Sequence, residues 1–584
     1  MKQKFLILAL SAWLYACAQQ PPQSAAAASV APEQDQAQDE ESEAAPAYKP
    51  SSLPKQELTG DVLYEFLLGE IAGQRGQLDI ATKAYLDIAK ATRDPRLAQR
   101  ATEVALYARQ PQAALQAARL WVETDADSTP ARQALVGLLV GTHKLEEARP
   151  HLEKLLAAEG QNIGPGFLQL NGLLAKTADK KAALNLVRDL VQPHARLPEA
   201  HLALSQAEWN AQQYEGALAE VRKALELRPD WEAAALFQGQ ILQQQSNARA
   251  LEYLHDYLNS HSQAKDVRLN YARLLVAEKN FPQARQEFQK LTADFPRNPD
   301  VSLAVGLLSM QLNDYDAAEA NFKQALKLNY KDQDSVRFYL GQVFEERKRY
   351  GEAQKWYASI GPGELYISAQ ARYASMLSKQ GRLDEARGVL HKLEPRDLPQ
   401  RIQIVLADAQ LLRDAGHYQE AFNLLGQTLD KNPDYPDLLY DYAMAAEKLN
   451  RIDILEQNLR KLIKIKPDYA HAYNALGYTL ADRNERLREA VEFIQQALKL
   501  SPEDPFIMDS MGWVQYRLGN IQEGADYLRR AFSARPDPEI AAHLGEVLWA
   551  QGRHGEAQQL WQSSLKENPD SEVLQSVIKK FDGK

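Results

Sequence analysis

The C-terminal third of this 584-residue chain repeats itself at a nearly constant interval. Five prolines are spaced 34, 35, 34 and 33 residues apart: Pro433, Pro467, Pro502, Pro536 and Pro569. Between them, small residues recur in two series: Gly477, Gly512 and Gly545, and then Ala490, Gly524 and Ala557. A fixed period of this length indicates one supersecondary unit stacked many times, because a single unit cannot bury its apolar face alone.

Each period has the pattern of two amphipathic helices. In residues 469–502, Leu476 and Gly477 lie in the first helix, and Ala490, Ile494 and Ala497 share one face of the second. A proline then ends the second helix, since proline cannot continue a helix interior. Weaker copies of the pattern occur further upstream: residues 401–433, 335–363, 301–330 and 198–229.

This pattern resembles the tetratricopeptide repeat, a helix–turn–helix unit of about 34 residues. Residues 61–195 keep the helical period but match the motif loosely. The resemblance implies an all-α superhelical solenoid of roughly fourteen or fifteen helical pairs. The turns Gly164-Pro165-Gly166 and Gly361-Pro362-Gly363, and the stretch Leu393 to Gln400, are expected to be irregular connections between repeats.

The N-terminus has the pattern of a secretory signal. Lys2 and Lys4 precede an apolar stretch from Phe5 to Leu14, which is shorter than the roughly 20 residues of a membrane span. The next residues, Leu14-Tyr15-Ala16-Cys17, resemble a bacterial lipobox, although that pattern usually has a small residue where Tyr15 stands. The resemblance implies lipidation of Cys17, and Ala18 implies an anchor in the outer membrane, facing the periplasm. The alternative is ordinary secretion with Cys17 as a free thiol.

Residues 17–57 predict a lipidated cysteine followed by a disordered acidic tether, because they hold too little apolar surface to offset the entropy of ordering. Helical structure is expected from about Leu58, after which the chain divides by the regularity of its repeats. The full division is a signal peptide at 1–16, the tether at 17–57, divergent helical repeats at 58–197, tetratricopeptide-like repeats at 198–400, regular repeats at 401–575 and a C-terminal tail at 576–584.

Composition and motifs exclude several kinds of protein. Lys and Arg total 68 and Asp and Glu total 78, a net charge of −10, which disfavours a protein that coats nucleic acid. One cysteine excludes a disulfide framework and a Cys-based zinc site. Phosphate-binding, dinucleotide-binding, serine-hydrolase and zinc-protease motifs are missing from the sequence, so we expect no catalytic residue, cofactor or metal and no enzyme activity.

The repeat resemblance also implies where a partner would bind. In that family the first helix of each pair lines the concave groove, and positions around its Leu-Gly pair face the groove. Carried onto this sequence, the frame selects Gln206 and Trp209 in one repeat, and then Asn474, Tyr478, Asp509, Trp513, Tyr516, Arg517, Glu546 and Trp549 near the C-terminus. For Trp513 and Trp549, filling the space between adjacent repeats is an equal alternative. Trp561, on a second helix, is expected in the core.

Two segments resemble a narrower family: residues 63–110, beginning LYEFLLGEIAGQRG, and residues 474–553, beginning NALGYTLADRNERLREA. With the lipobox, they are similar to proteobacterial tetratricopeptide outer-membrane lipoproteins whose best understood member is the adaptor of a periplasmic carboxyl-terminal processing protease. The resemblance implies a non-catalytic scaffold that binds and activates such a serine protease. It would deliver peptidoglycan hydrolases, in particular endopeptidases that cut cross-links, as substrates.

Two alternatives remain open from the sequence. Related helical-repeat lipoproteins serve envelope assembly or export machines, for polysaccharide secretion, pilus secretins or outer-membrane protein insertion. A glycan-binding or wall-modifying enzyme would need a carboxylate pair across a cleft or a metal site, and no such constellation can be selected from the sequence.

Overall fold

The computed structural model describes residues 53–174 and 177–581, without the side chain of Gln161. The predicted signal at 1–16, Cys17 and the predicted tether as far as residue 52 lie outside the described residues. Within the described ranges every regular element is a helix, which confirms the all-α prediction. The chain divides into two compact units, unit 1 up to Asn321 and unit 2 from Phe322, with the division inside one helix.

Thr59 caps the first helix of unit 1 by accepting a hydrogen bond from the Val62 amide at 3.3 Å. The helices of unit 1, with the one that contains the division, are α1 (Gly60–Gln74), α2 (Leu78–Thr92), α3 (Pro95–Tyr107), α4 (Pro111–Thr124), α5 (Thr129–Gly141), α6 (Leu145–Ala158), α7 (Gly164–Leu174), α8 (Lys180–Val191), α9 (Pro198–Asn210), α10 (Tyr214–Leu227), α11 (Glu232–Gln245), α12 (Asn247–Ser260), α13 (Lys265–Ala277), α14 (Phe281–Asp294), α15 (Pro299–Gln311) and α16 (Tyr315–Lys327). Short 3-10 turns follow α6 and α8.

Unit 2 continues the alternation of first and second helices. Its remaining helices are α17 (Gln333–Glu346), α18 (Tyr350–Ala358), α19 (Tyr366–Ser378), α20 (Leu383–His391), α21 (Leu398–Asp414), α22 (Tyr418–Lys431), α23 (Pro436–Lys448), α24 (Ile452–Ile465), α25 (Ala470–Asp482), α26 (Leu487–Leu500), α27 (Pro505–Arg517), α28 (Ile521–Ala534), α29 (Pro538–Ala550), α30 (His554–Glu567) and α31 (Glu572–Phe581). The described helices therefore form fifteen pairs and one closing helix, in agreement with the repeat period.

The periodic prolines end helices as predicted. The second helices α22, α24, α26, α28 and α30 each end two residues before a proline of the series. The residue before a proline is pushed out of the helical region, so the last helical residue falls one position earlier still. The prolines thus keep the C-terminal repeats within two residues of one another in length, at 33 to 35 residues.

The small residues of the motif allow the two helices of a pair to approach closely. A Cβ added to Gly512 on α27 would lie 2.8 Å from the carbonyl oxygen of Gly524 on α28. One added to Gly545 on α29 would overlap the Trp561 indole, which is 1% exposed. Trp561 therefore lies in the core, as predicted, and its Nε1–H donates to the Ala542 carbonyl at 3.3 Å.

Three local expectations need adjustment. Gly164-Pro165-Gly166 forms the first turn of α7 instead of an interruption, since a proline in that turn loses no helical hydrogen bond. Gly361-Pro362-Gly363 does lie in an irregular connection, between α18 and α19, whereas the predicted connection Leu393 to Gln400 ends early because Leu398 opens α21. The proposed tail at 576–584 is helical as far as Phe581, whose ring packs 5.4 Å from that of Trp561.

None of the helices in the described ranges combines the length and the apolar character needed to cross a membrane.

Candidate functional site

Three first helices of unit 2, α25, α27 and α29, each carry a row of polar or aromatic side chains along one face. Asn474, Tyr478 and Asp482 follow one another at intervals of four on α25, and Asp509 and Trp513 have the same spacing on α27. Residues four apart lie on the same face of a helix, so the side chains of each row point in one direction. On α29, Glu539 and His543 complete the set.

His543 is the centre of this face, because it contacts groups from the two preceding first helices. Its Nδ1 lies 3.0 Å from both carboxylate oxygens of Asp509, and the Trp513 indole stacks on its ring at 4.3 Å. Its Nε2 lies 3.5 Å from the hydroxyl oxygen of Tyr478, which in turn lies 3.4 Å from a carboxylate oxygen of Glu539. The four polar groups form one chain, Asp509–His543–Tyr478–Glu539.

The electrostatics of His543 follow from that arrangement. Burial alone would lower the pKa of its imidazole, but the carboxylate of Asp509, with Glu539 and Asp482 further away, outweighs burial and raises it. A protonated imidazole donates from both ring nitrogens. His543 can therefore donate to Asp509 and to Tyr478, while the Tyr478 hydroxyl donates to Glu539.

Negative charge exceeds positive charge around this chain. Partial loss of contact with water raises the pKa of Glu539 and of Glu447 on α23, and the charge of Glu539 raises the pKa of Glu447 further. Burial also raises the pKa of the Tyr478 phenol, and the negative charges of Glu539 and Asp482 raise it further. We call Glu447, Asp482, Asp509 and Glu539 the acidic cluster. Glu447 is half-buried, while Asp482 and Glu539 are open to water.

Among the described residues, no ion pair within 4.0 Å reaches Glu447, Asp482 or Glu539. Two cations lie nearby without forming such a pair. Lys448 acts on Glu447 only through long-range attraction, and the Arg517 guanidinium lies over the Trp513 ring at 5.6 Å. No three side chains of His, Cys, Asp or Glu in the described ranges are close enough to hold one metal ion. The cluster is thus a set of separate carboxylates on a shared face.

The remaining C-terminal residues that the repeat frame selected contact the end of the array. Trp549 stacks on His554 at 4.1 Å and lies 5.2 Å from the Phe581 ring. Glu546 accepts a hydrogen bond from the Lys580 ammonium at 3.0 Å. Tyr516, in contrast, packs against Trp513 on the same helix, with 5.3 Å between the ring centroids.

Gln206 and Trp209, both on α9, belong to unit 1. The Gln206 side-chain oxygen accepts a hydrogen bond from Asn171 at 3.0 Å, which links α9 to α7. Trp209 makes edge contacts with Tyr214 at 5.1 Å and with Phe237 at 6.0 Å. Both residues thus contact neighbouring helices, and they form a set separate from the acidic cluster.

Sequence reasoning selected Asn474, Tyr478, Asp509 and Trp513 but did not select Glu447, Asp482, Glu539 or His543. The interval of four between Tyr478 and Asp482 was available as a signal. His543 directly precedes the Leu544-Gly545 pair, so the repeat frame offered a signal for it as well, but only Glu546 and Trp549 were selected from that repeat. Its role depends on contacts with residues 34 and 65 positions earlier in the chain.

Models of the tetratricopeptide repeat match much of the helical array. The matched residues are 242–308 and 412–477 for one form of the repeat, 303–363 and 510–572 for a second, and 198–230 and 470–504 for a third. These matches cover both the regular C-terminal repeats and the central ones. They begin at residue 198, where the predicted tetratricopeptide-like repeats begin.

The chain is also similar to whole proteins. It is 36% identical to a tetratricopeptide repeat-containing protein of Pseudomonas aeruginosa over 502 residues, which are 83% of this chain and 82% of that protein. It is 23% identical to the cellulose synthase operon protein C of Pseudomonas fluorescens over 282 residues, 45% of this chain but 22% of that protein. Among solved structures, a tetratricopeptide repeat protein of Thermus thermophilus aligns at 25% identity with 30% of this chain and 95% of its own, with a TM-score of 0.28.

Proposed function

Since this chain belongs to the tetratricopeptide repeat family, we propose that it is a non-catalytic scaffold that binds a periplasmic carboxyl-terminal processing protease, activates it and delivers its protein substrates. Stacked repeats present long surfaces to protein partners. The proposed substrates are peptidoglycan hydrolases that cut cross-links. The proposed anchor is a lipid on Cys17, which holds the scaffold at the outer membrane.

The observation that carries the proposal is the array of fifteen helix pairs whose first-helix faces keep polar and aromatic side chains. Trp and Tyr side chains such as Trp513 and Tyr478 are frequent energetic anchors of protein interfaces. The same array offers separate stretches to two ligands, since unit 1 and unit 2 each carry first-helix faces of their own.

The physical benefit of such a scaffold is concentration. When enzyme and substrate bind one molecule, their encounter becomes intramolecular, and linked sites raise overall avidity by about 10²–10⁴ without any new contact. Attachment to a membrane further confines the pair to one surface. A protein without reactive groups can therefore accelerate proteolysis by position alone.

The test is reconstitution with purified proteins. The protease from the same organism is mixed with a cross-link endopeptidase, with and without the full chain, and loss of the intact endopeptidase is followed on gels. We expect the chain to bind the protease and to speed cleavage at least tenfold. Absence of both binding and acceleration would reject the proposal.

The anchor has its own test. Replacing the candidate lipid acceptor, Cys17→Ser, should move the protein from the membrane fraction to the soluble fraction while its helical circular dichroism stays the same. Retention of the variant in outer membranes would show that another element provides the attachment.

A second candidate is a scaffold for an envelope export or assembly machine. It is favoured by the similarity to the cellulose synthase operon protein C, which extends over 45% of this chain. Affinity purification of the tagged chain from membranes separates the two functions. A polysaccharide synthase, a secretin or a barrel protein among the stoichiometric partners would favour export, whereas a protease with wall hydrolases would favour the adaptor.

A further inference from the structure

Three of the four carboxylates in the acidic cluster lie near one another without a cation partner among the described residues. Elsewhere in unit 2, acids close to the core have cations beside them. Asp441 contacts the Arg413 guanidinium at 2.5 Å, and Glu345 contacts Arg372 at 3.3 Å and Lys379 at 3.2 Å. In contrast, Glu447, Asp482 and Glu539 have no such partner among the described residues.

This lack of compensation is costly. The raised pKa values of Glu447 and Glu539 mean that their ionised forms are less stable in this setting than in water. His543 offsets one negative charge, and its closest contact is with Asp509. An added cation would relieve the repulsion among the remaining three carboxylates.

A second observation comes from an uncharged group in the same layer. Trp513 is 4% exposed and stacks on His543, yet its indole Nε1–H has no acceptor among the described residues. On α25, one turn before Tyr478, the side-chain oxygen of Asn474 is likewise buried without a donor. A buried donor or acceptor without a partner is destabilising, so such groups are rare unless something else satisfies them.

We propose that this face of unit 2 is a docking site for a cationic peptide segment of a partner protein. Lysine or arginine side chains of the segment pair with Glu447, Asp482 and Glu539. Binding turns the Trp513 indole N–H and the Asn474 side-chain oxygen, both buried in the free chain, toward a main-chain carbonyl and an amide N–H of the segment. The inference rests on the proposed scaffold function and names the chemistry of the ligand that unit 2 takes.

A peptide fits these groups better than a single ion does. The carboxylates do not converge to the spacing of a metal site in the described part of the chain. They are spread over α23, α25 and α29, and an extended segment can reach several of them at once. A peptide also carries the neutral donors and acceptors that Trp513 and Asn474 lack, which a metal ion does not.

The test uses the full chain and two fluorescein-labelled peptides of twelve residues in a Gly-Ser background. One carries three lysines and the other carries three glutamines in their place. Fluorescence anisotropy at about 50 mM and about 200 mM salt is expected to show saturable 1:1 binding of the lysine peptide, at least tenfold tighter than the glutamine peptide, and weaker at the higher salt because charge pairing is screened.

The variants separate this site from general attraction between opposite charges. The double variant Glu447→Gln/Glu539→Gln should weaken the lysine peptide by about tenfold, equivalent to about 1.4 kcal/mol. The control Asp453→Asn/Glu492→Gln removes two exposed acids from the second helices α24 and α26, and should change affinity by less than about twofold. Trp513→Phe should weaken both peptides by a similar factor, because it removes a contact to the main chain.

Several outcomes would overturn the site. They are an equal loss in the control variant, unchanged binding in the Glu447→Gln/Glu539→Gln variant, or displacement of the peptide by micromolar Ca²⁺, which would make a divalent cation the ligand. Thermal unfolding by circular dichroism verifies that each variant is folded. If the full chain binds its protease but not the lysine peptide, only this inference fails. If it binds neither, the proposed scaffold function fails as well.

Discussion

The close approach of α27 and α28 gives a sharp test of the packing rule behind the repeats. In Gly512→Ala, the new Cβ would lie 2.8 Å from the Gly524 carbonyl oxygen and 3.1 Å from the Leu528 amide nitrogen. Both are backbone atoms, so no side-chain rotation relieves the contact. Reaching an ordinary separation of 3.4 Å requires the helices to part by 3.4 − 2.8 = 0.6 Å.

The expected magnitude combines two opposing effects. Overpacking of this kind costs about 1–3 kcal/mol, and alanine regains about 0.5–1 kcal/mol of helix propensity, so the net loss is at most about 2.5 kcal/mol and about 1 kcal/mol at the middle of the two ranges. The matched control is Gly388→Ala on α20, where a Cβ meets nothing within 4 Å. Since only the propensity gain applies there, the control should be stabilised by about 0.5–1 kcal/mol.

Hydrogen exchange measured by mass spectrometry can locate the effect. In a repeat array each unit contacts mainly its neighbours, so the loss of protection should be confined to α27, α28 and the adjoining pairs. Amides of residues 505–534 should exchange about 5–30 times faster, while those of α10 in unit 1 should not change. Unchanged exchange in 505–534, or equal loss from Gly388→Ala, would refute the reasoning that backbone contact makes glycine necessary here.

Three further substitutions test other parts of the structure. Trp561→Ala should destabilise unit 2 by about 3–5 kcal/mol in urea unfolding, since it empties the core beneath Gly545; a loss below about 1 kcal/mol would contradict that role. Arg268→Ala should cost about 1–3 kcal/mol, because the buried Glu287 carboxylate, 2.6 Å from the guanidinium, then keeps only the more exposed Lys290 ammonium at 2.7 Å; replacing Arg268 and Glu287 together by Met and Leu should cost less. Hydrogen bonds from Arg486 and Arg460 lower the pKa of Glu456 to about 2, below its ordinary value of 4.5, so its contribution to stability is present at neutral pH and is lost as pH falls from about 4.5 to 2. The melting temperature of Glu456→Gln should therefore fall less between pH 6 and pH 3 than that of the unmodified chain, and equal slopes would contradict the assignment.

Much of the fold could be predicted because its determinants are local. The positions of Pro433 to Pro569 set where second helices end, and Gly477, Gly512 and Gly545 set where the helices of a pair touch. These contacts join residues less than one repeat apart, so one period of sequence contains both partners. The difference at Gly164-Pro165-Gly166 is of another kind, because one short motif is compatible with both an interruption and a first helical turn.

The candidate site could be predicted only in part, because it depends on stacking over several repeats. Tyr478 reaches Glu539 and His543, which are 61 and 65 residues away and two repeats further along. Whether those groups meet is decided by the small rotation between successive pairs, which accumulates along the array and leaves no mark in any one period. The repeat frame gives the direction of Asn474 or Asp509, but not which side chains of other repeats they face.

The contact of Tyr478 with His543 also bears on how the C-terminal repeats behave as a scaffold. A purely nearest-neighbour array bends at each junction independently, so a bound ligand would order only the repeats that it touches. In unit 2, however, α25 and α29 are joined directly across α27 through Asp509, His543 and Tyr478. A cation bound at the acidic cluster would act on three repeats at once, because α25, α27 and α29 each contribute a residue to the hydrogen-bonded chain Asp509–His543–Tyr478–Glu539. Binding at this face would therefore fix the local curvature of α25–α29, and curvature is the property of a repeat scaffold that decides which partners fit it.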